Sequence, residues 1–291
     1  YFLVFKPQKL THLVFFILTV QITNQMKFLY RAAIILMPLA PLASSAQDLT
    51  IASGATVTIE SGSYISSGGN LSNSGTLTLG ADANGYSQIK VDGTVTNTGT
   101  ITQSQYLTND GYASISSPMT TDFATTSGDN TKMFYYDGSA FAWRTSDQAG
   151  RGYFASIGTS LFATSAGTFS ATGTPNTSMT HSLSYSVNAA ANGSGTGWNL
   201  VGNPYTCGLD WTAMTKTDVN DAFYVWDPAT SLYKYYASGA ISGTYLTASN
   251  TLTAIIPPMQ AFWVQTTSNS AALSSTMADD GVLDNTSTFI S

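Results

Sequence analysis

Enzyme chemistry needs groups that move protons, hold metals or attack, and this 291-residue chain has few of them. Glycoside hydrolysis takes two placed carboxyl groups, one of them kept protonated by its surroundings. The sequence contains one glutamate, Glu60, so any pair must draw on aspartates, and Asp210 and Asp227 stand where aspartate commonly caps or opens a turn. A serine nucleophile would depend on His181, within the polar stretch Thr180-His181-Ser182, and no Gly-x-Ser-x-Gly elbow is present. His181 and the lone Cys207 do not make a zinc site. Oxygen ligands are more plentiful. Asp218, Asn220 and Asp221 form the candidate calcium site, with Asp279-Asp280 as a second possibility, and neither matches an EF-hand loop. Phosphate-loop and dinucleotide fingerprints are missing, so calcium is the one cofactor left open.

Aromatic side chains are the remaining resource. Trp198, Trp211, Tyr224, Trp226 and Trp263 define a candidate platform for sugar rings, because an aromatic face with a polar edge suits the CH surface of a pyranose. Packing in a core is the competing role for each of them. Alternation along Phe223-Tyr224-Val225-Trp226 predicts a strand with Tyr224 and Trp226 on one face and Phe223 and Val225 on the other.

The elements that would position these residues are short strands. Gly197-Trp198-Asn199-Leu200-Val201-Gly202-Asn203-Pro204-Tyr205 reads as a strand running into a tight turn, with Gly202, Asn203 and Pro204 each suited to the turn for its own reason. Upstream, from Asp48 to about Gln103, Thr, Val, Ile and Leu alternate between Gly and Asn breaks. Asn73-Ser74-Gly75-Thr76-Leu77-Thr78 returns as Asn97-Thr98-Gly99-Thr100-Ile101-Thr102, 24 residues later. That period matches one turn of a β-solenoid, with an antiparallel meander as the alternative. Beyond Tyr106 the composition turns aromatic and a longer echo begins. Tyr112 to Pro118 parallels Trp198 to Pro204, Phe134-Tyr135-Tyr136-Asp137 parallels Phe223 to Asp227, and Gly152-Tyr153-Phe154 parallels Ala261 to Val264. Trp211 to Asn220, with Asp210 as N-cap, is the best stretch for a single turn of helix.

The expected fold is all-β, a short N-terminal β-solenoid followed by a β-sandwich-like region built from two diverged repeats. The divisions are 47–106 for the solenoid-like repeats, 107–192 and 193–276 for the two β-rich repeats joined by the linker 188–195, and 277–291 for a tail. Ahead of them, Met26 is followed by a basic Lys27 and Arg31, an apolar run Ala32 to Leu42 and a small-residue site Ser44-Ser45-Ala46, which reads as a signal peptide over 26–46. The run is too short for a membrane span of roughly 20 residues, and residues 1–25 read as untranslated sequence. Removing 1–46 leaves 6 basic against 16 acidic side chains, a net charge of −10, with no Lys/Arg cluster for nucleic acid. With Cys207 alone there is no internal disulfide, and burial as a small apolar residue is its expected role.

In wording, Gly-Trp-Asn-Leu-Val-Gly-Asn-Pro-Tyr resembles a motif of secreted Bacteroidetes proteins that are cargo of the type IX secretion system, where it precedes a C-terminal sorting domain. The resemblance extends to Tyr112 to Pro118, Gly152-Tyr153, Tyr224 to Asp227 and Pro257-Pro258-Met259-Gln260-Ala261-Phe262, with Tyr112 in a place usually held by Trp. It implies a secreted or outer-surface location, secretion machinery as a partner and a sorting domain of about 70 to 80 residues, for which 277–291 leaves no room. Taken together, the sequence leads to a non-enzymatic structural or adhesive module of the cell surface. Its partners would include polysaccharide or other surface components. A carbohydrate-binding module is the alternative, and a polysaccharide-degrading enzyme stands behind both.

Overall fold

The computed structural model describes residues 47–107, 111–120, 133–136, 141–143, 150–157, 168–185, 197–238, 252–284 and 286–290. The expected leader, the sequence before it, the linker 188–195 and the turn at Asp137 lie outside the described residues. Those described are nearly all β-structure, and among them no helix is long and apolar enough to cross a membrane.

The first region runs through β1 (Leu49–Ile51), β2 (Thr56–Ile59), β3 (Tyr64–Ser67), β4 (Leu71–Asn73), β5 (Thr76–Leu79), β6 (Ala81–Asp82), β7 (Gly85–Tyr86), β8 (Gln88–Val91), β9 (Val95–Asn97) and β10 (Thr100–Tyr106). Most of these strands pair in parallel, giving the orders β1-β4-β9, β2-β5-β10 and β3-β8. The register places Thr76 between Thr56 and Thr100, and Leu77 between Val57 and Ile101. Strand alternation then points Leu71, Leu77, Leu79, Ile89 and Ile101 inward, all without exposed surface. Because like meets like in such a stack, the Asn73 amide donates to the Asn97 side-chain oxygen at 2.8 Å, and the Ser74 and Thr98 hydroxyls lie 3.1 Å apart.

The rest of the chain forms β11 (Gly111–Ser116), β12 (Met133–Tyr136), β13 (Phe141–Trp143), β14 (Gly152–Ile157), β15 (Thr168–Thr172), β16 (Ser178–Ser182), β17 (Trp198–Gly202), β18 (Gly208–Asp210), β19 (Thr215–Thr217), β20 (Ala222–Asp227), β21 (Leu232–Ala237), β22 (Ile255–Ile256), β23 (Ala261–Gln265), β24 (Ala272–Thr276), the short helix α1 (Met277–Asp280) and β25 (Gly281–Val282). Two four-stranded antiparallel sheets dominate, ordered β11-β14-β12-β13 and β17-β23-β20-β21. Numbered within each sheet, both orders read first, fourth, second, third.

The contacts between these two sheets are reciprocal. Ser116 N–H donates to the Met259 carbonyl at 2.8 Å, and Gly202 N–H donates to the Gly150 carbonyl at 2.9 Å. Isolated bridges join Ile115 to Gln260 and Val201 to Arg151. Aligning β11 with β17 and β14 with β23 through their registers makes Ser116 the counterpart of Gly202, and Ile115 the counterpart of Val201. Met259 and Gly150 correspond as well, and both hold left-handed backbone, φ 63 and 79.

The main core joins the stack to the second region through Leu77, Ile101, Phe169, Val201, Trp211, Phe223, Val225 and Phe262. On the opposite side of β17, β20 and β23 a smaller cluster holds Leu200, Tyr224, Ala261 and Trp263, with Trp198, Tyr136, Phe154 and Tyr235 packed against it. The helical turn expected over 211–220 is cut short. Asp210 does accept the Thr212 N–H at 2.8 Å and the Met214 N–H reaches the Asp210 carbonyl, but the chain then enters β19, whose Thr215–Thr217 backbone pairs with β24. Ladder bonds to β24 replace the next helical bonds, and threonine at Thr215 and Thr217 favours the extended form.

Candidate functional site

The stretch 197–211 lies where the stack, both large sheets and the C-terminal residues meet. Gly197 opens it at φ 78, a left-handed conformation, and a Cβ there would come within 2.3 Å of the Thr266 carbonyl. Asn199, buried in β17, donates to the Ser184 carbonyl at 2.9 Å and accepts the Ser184 N–H at 3.0 Å. At Gly202 the sheets come so close that a Cβ would stand 2.1 Å from the Ser116 Cβ.

Asn203 has no exposed surface and acts as a hub. Its side-chain oxygen accepts the Tyr205 N–H at 2.9 Å, forming an Asx-turn, while its amide donates to the carbonyls of Cys207, Ile256 and Pro257 at 2.8, 2.9 and 3.0 Å. Its backbone N–H reaches the Gln260 carbonyl at 3.0 Å, and its carbonyl accepts the Ser116 hydroxyl at 2.8 Å. Further on, Thr206 exchanges bonds with Ile89 of the stack. The Ile89 N–H donates to the Thr206 carbonyl at 3.1 Å, and the Thr206 hydroxyl donates to the Ile89 carbonyl at 2.8 Å. The polar side chains of this distinctive stretch are thus turned inward onto backbone.

Of the five proposed platform residues, four share a side of the β17-β23-β20-β21 sheet. Trp198, Tyr224 and Trp263 belong to the smaller cluster, and Trp226 follows Tyr224 on the same face of β20. Trp211 sits on the other side, fully buried against Phe223 and Phe262 at 5.5 and 6.0 Å between ring centroids. The rings on the shared face are tilted against one another. Trp198 meets Tyr224 at 69°, Trp226 meets Tyr233 at 68° and Tyr136 meets Trp263 at 56°. Edge-to-face packing of this kind satisfies the ring quadrupoles within the protein and presents no flat surface. Exposure rises toward β21, where Leu232 and Tyr233 are the most open large apolar side chains among the described residues. Tyr233 of β21 joins this face, and the run of tyrosines in β21 is the sequence signal for it.

The calcium candidates turn to separate partners. Asp218 accepts the Ser268 hydroxyl at 2.6 Å, and Asn220 donates to the Gln265 side-chain oxygen at 3.0 Å. Asp221 accepts the Trp211 indole N–H at 2.8 Å and the Ser238 hydroxyl, with the Lys216 ammonium 3.5 Å away. Burial opposes ionisation of Asp221, but Ser238 and Lys216 outweigh it and hold the carboxyl below its ordinary value. Asp279 and Asp280 bind the Thr276 hydroxyl and N–H at the start of α1, both at 2.8 Å. Among the described residues, no group of three or more His, Cys, Asp or Glu side chains is placed to hold a metal ion.

Asp210 caps the turn after β18, and Asp227 is buried at the end of β20. Asp227 accepts the Ala229 N–H at 3.0 Å and the Thr230 hydroxyl and Lys234 ammonium at 2.9 Å each. Burial pushes its carboxyl up, and the Lys234 and Thr230 donors more than reverse this. His181 lies in β16, where burial and the Arg151 charge press its imidazole down to about 4, so it is neutral at neutral pH. Cys207 is a buried free thiol pushed up to about 12 by burial, which leaves it protonated and unreactive. A cavity of about 250 Å³ opens among Phe223, Val225, Lys234, Ile256, Gln260 and Ile290. Its polar rim is already engaged, since Lys234 pairs with Asp227 and the Gln260 oxygen accepts the Ile290 N–H at 2.7 Å.

Residues 26–286 match the model of a protein family described as Domain of unknown function (DUF8693). No curated protein and no solved structure matches the chain.

Proposed function

We propose that the chain, which belongs to the DUF8693 family, is an exported, non-enzymatic structural or adhesive module of the cell surface. The observation that carries this reading is the inward use of its most distinctive stretch. Asn199 and Asn203 direct their amides to backbone carbonyls, so the motif fastens the fold and leaves no polar group presented for catalysis. Asp210, Asp221 and Asp227 are likewise occupied with turns and lysines. Export is supported by the leader-like residues 26–46, and the type IX resemblance, with secretion machinery as the partner, by the Gly197 to Tyr205 wording.

The finer architecture belongs to the same proposal. In-register parallel strands 24 residues apart support a short β-solenoid over 47–106. Matching strand orders and reciprocal contacts support two diverged repeats that close on each other as a sandwich-like pair. A polysaccharide-binding role keeps one favourable observation, the half-open pair Trp226 and Tyr233 with centroids 5.1 Å apart.

Expression from Met26 in a host with this secretion route, followed by fractionation and N-terminal mass spectrometry, tests the reading. Processed protein beginning at Gln47 and found outside the cytoplasm is expected. Protein kept in the cytoplasm with its leader intact would overturn export. Polysaccharide pull-down that is lost in Trp226→Ala, with thermal stability retained, would move the carbohydrate-binding role ahead of the structural one.

A further inference from the structure

Among the described residues, the parallel stack is closed at one end and open at the other. At the closed end β15 adds antiparallel to β10, the Asn97 amide donates to the Gly173 carbonyl at 3.0 Å, and Thr206 bonds Ile89 in both directions. At the other end β1, β2 and β3 are each the last strand of their sheet among the described residues. Burial follows this asymmetry. Leu71, Leu77 and Ile89 have no exposed surface, while their register partners Leu49, Val57 and Ile65 are only half-buried.

The free edge is equipped to pair. The carbonyls of Ala55 and Ile59 accept from Thr76 and Gly80, so alternate residues of β2 face β5 and the amides and carbonyls of Thr56 and Thr58 are directed outward. Natural edges are usually blunted by Lys, Pro or an inward charge. None of these occurs between Leu49 and Ser67, where the one charged residue is Glu60, at the corner after β2. The first turn, Leu49 up to the residue before Leu71, comprises 22 residues, a match to the roughly 20–30 residues a side of a stable protein interface.

We propose that this open end is a self-association surface on which two copies meet first turn to first turn. In the pair, β2 lies antiparallel to β2 of the second copy, which extends the sheet β15-β10-β5-β2 through both molecules. The half-buried Leu49, Val57 and Ile65 are covered in the process. Because the far end of each stack is already capped, the contact is isologous and closes at a dimer instead of growing into a filament. This association goes beyond the export reading and does not rest on it.

Sedimentation equilibrium of the processed, exported protein over a micromolar concentration series reads the assembly directly, and a dimer is expected. Thr56 is exposed, so Thr56→Lys and Thr56→Glu should fold and should melt with the parent in solutions dilute enough that all three are monomeric, while each weakens the dimer by about tenfold or more, because like charges then face each other across the two-fold axis. An equimolar mixture of the two variants should restore dimers, and Thr98→Lys, placed near the capped end, should leave them intact. A monomeric parent overturns the proposal. So does a dimer that ignores Thr56→Lys, or a mixture that associates no better than either variant alone.

Discussion

The two large sheets share a strand order and differ in one turn. In the first, β11 runs into Ser116-Ser117-Pro118, and in the second, β17 runs into Gly202-Asn203-Pro204. Ser117 and Asn203 close the same local turn. The Met119 N–H donates to the Ser117 hydroxyl at 3.2 Å, just as the Tyr205 N–H donates to the Asn203 side-chain oxygen at 2.9 Å. Asparagine then adds what serine lacks, an amide that reaches three further carbonyls, Cys207 four residues on and Ile256 and Pro257 on one distant segment. A shared backbone plan thus carries a local turn in one half and a long-range fastening in the other. The difference teaches that the distinctive wording of the motif follows from tertiary demand, since local geometry alone is met by serine.

The largest expected effect breaks the fastening. Asn203→Ala takes this partner from the Cys207 and Ile256 carbonyls and from the Tyr205 N–H, while the Pro257 carbonyl keeps the Gln260 N–H; at about 1–3 kcal/mol for each buried group left unsatisfied, a loss of about 3 kcal/mol is expected in urea unfolding. Asn203→Ser gives the second half the turn of the first and should lose visibly less than Asn203→Ala. Equal losses would mean that the turn contributes nothing.

Gly202→Ala tests the close approach of the halves. Its new Cβ would stand 2.1 Å from the Ser116 Cβ and 3.1 Å from the Arg151 carbonyl, so backbone must shift, at a cost of about 1–3 kcal/mol. Pairing it with Ser116→Gly removes the nearest obstacle and should recover part of that loss in the same unfolding assay.

Ser117→Ala should cost about 1 kcal/mol for the neutral bond that its hydroxyl accepts from the Met119 N–H. A loss as large as that of Asn203→Ala would erase the contrast between the halves.

The smallest effect is acid dependence at the end of β20. Asp227 has its folded value held below 3.8, so it contributes stability above that ordinary value and loses it as pH falls through the folded one. One group gives a slope of at most about 1.4 kcal/mol per pH unit. Asp227→Asn should flatten the stability profile below pH 4 and leave its shape near neutrality unchanged, as thermal melts across pH will show.

Much of this architecture was legible because it depends on period and alternation. Asn73 recurs as Asn97 in the sequence, and in the structure a hydrogen bond joins the two side chains. Alternation in β20 separated Tyr224 from Phe223 correctly, since one residue's neighbours lie on each side of the sheet. Trp211 packs on the side of the sheet away from Trp198, Tyr224 and Trp263, because it follows β18, which belongs to a different sheet, and no period links it to β20. The side chains of Asp218, Asn220 and Asp221 are close in sequence, yet strand geometry and the turn at Asp218, φ 53, send them to Ser268, Gln265 and Trp211. Nor does any local pattern announce the partners of Asn203, which lie up to 54 residues away in the chain.

The central claim is that the stretch 197–211 fastens the stack and the paired sheets into one cooperative unit, and native-state amide exchange measures it most directly. The Ile89 amide belongs to the stack and bonds the Thr206 carbonyl, while the Val201 amide belongs to the paired sheets. Both should open with the same free energy in the parent, and Asn203→Ala should lower the two by the same amount. If Asn203→Ala lowers protection at Val201 while Ile89 and Leu77 keep theirs, the stack stands by itself and the fastening role of the motif is contradicted.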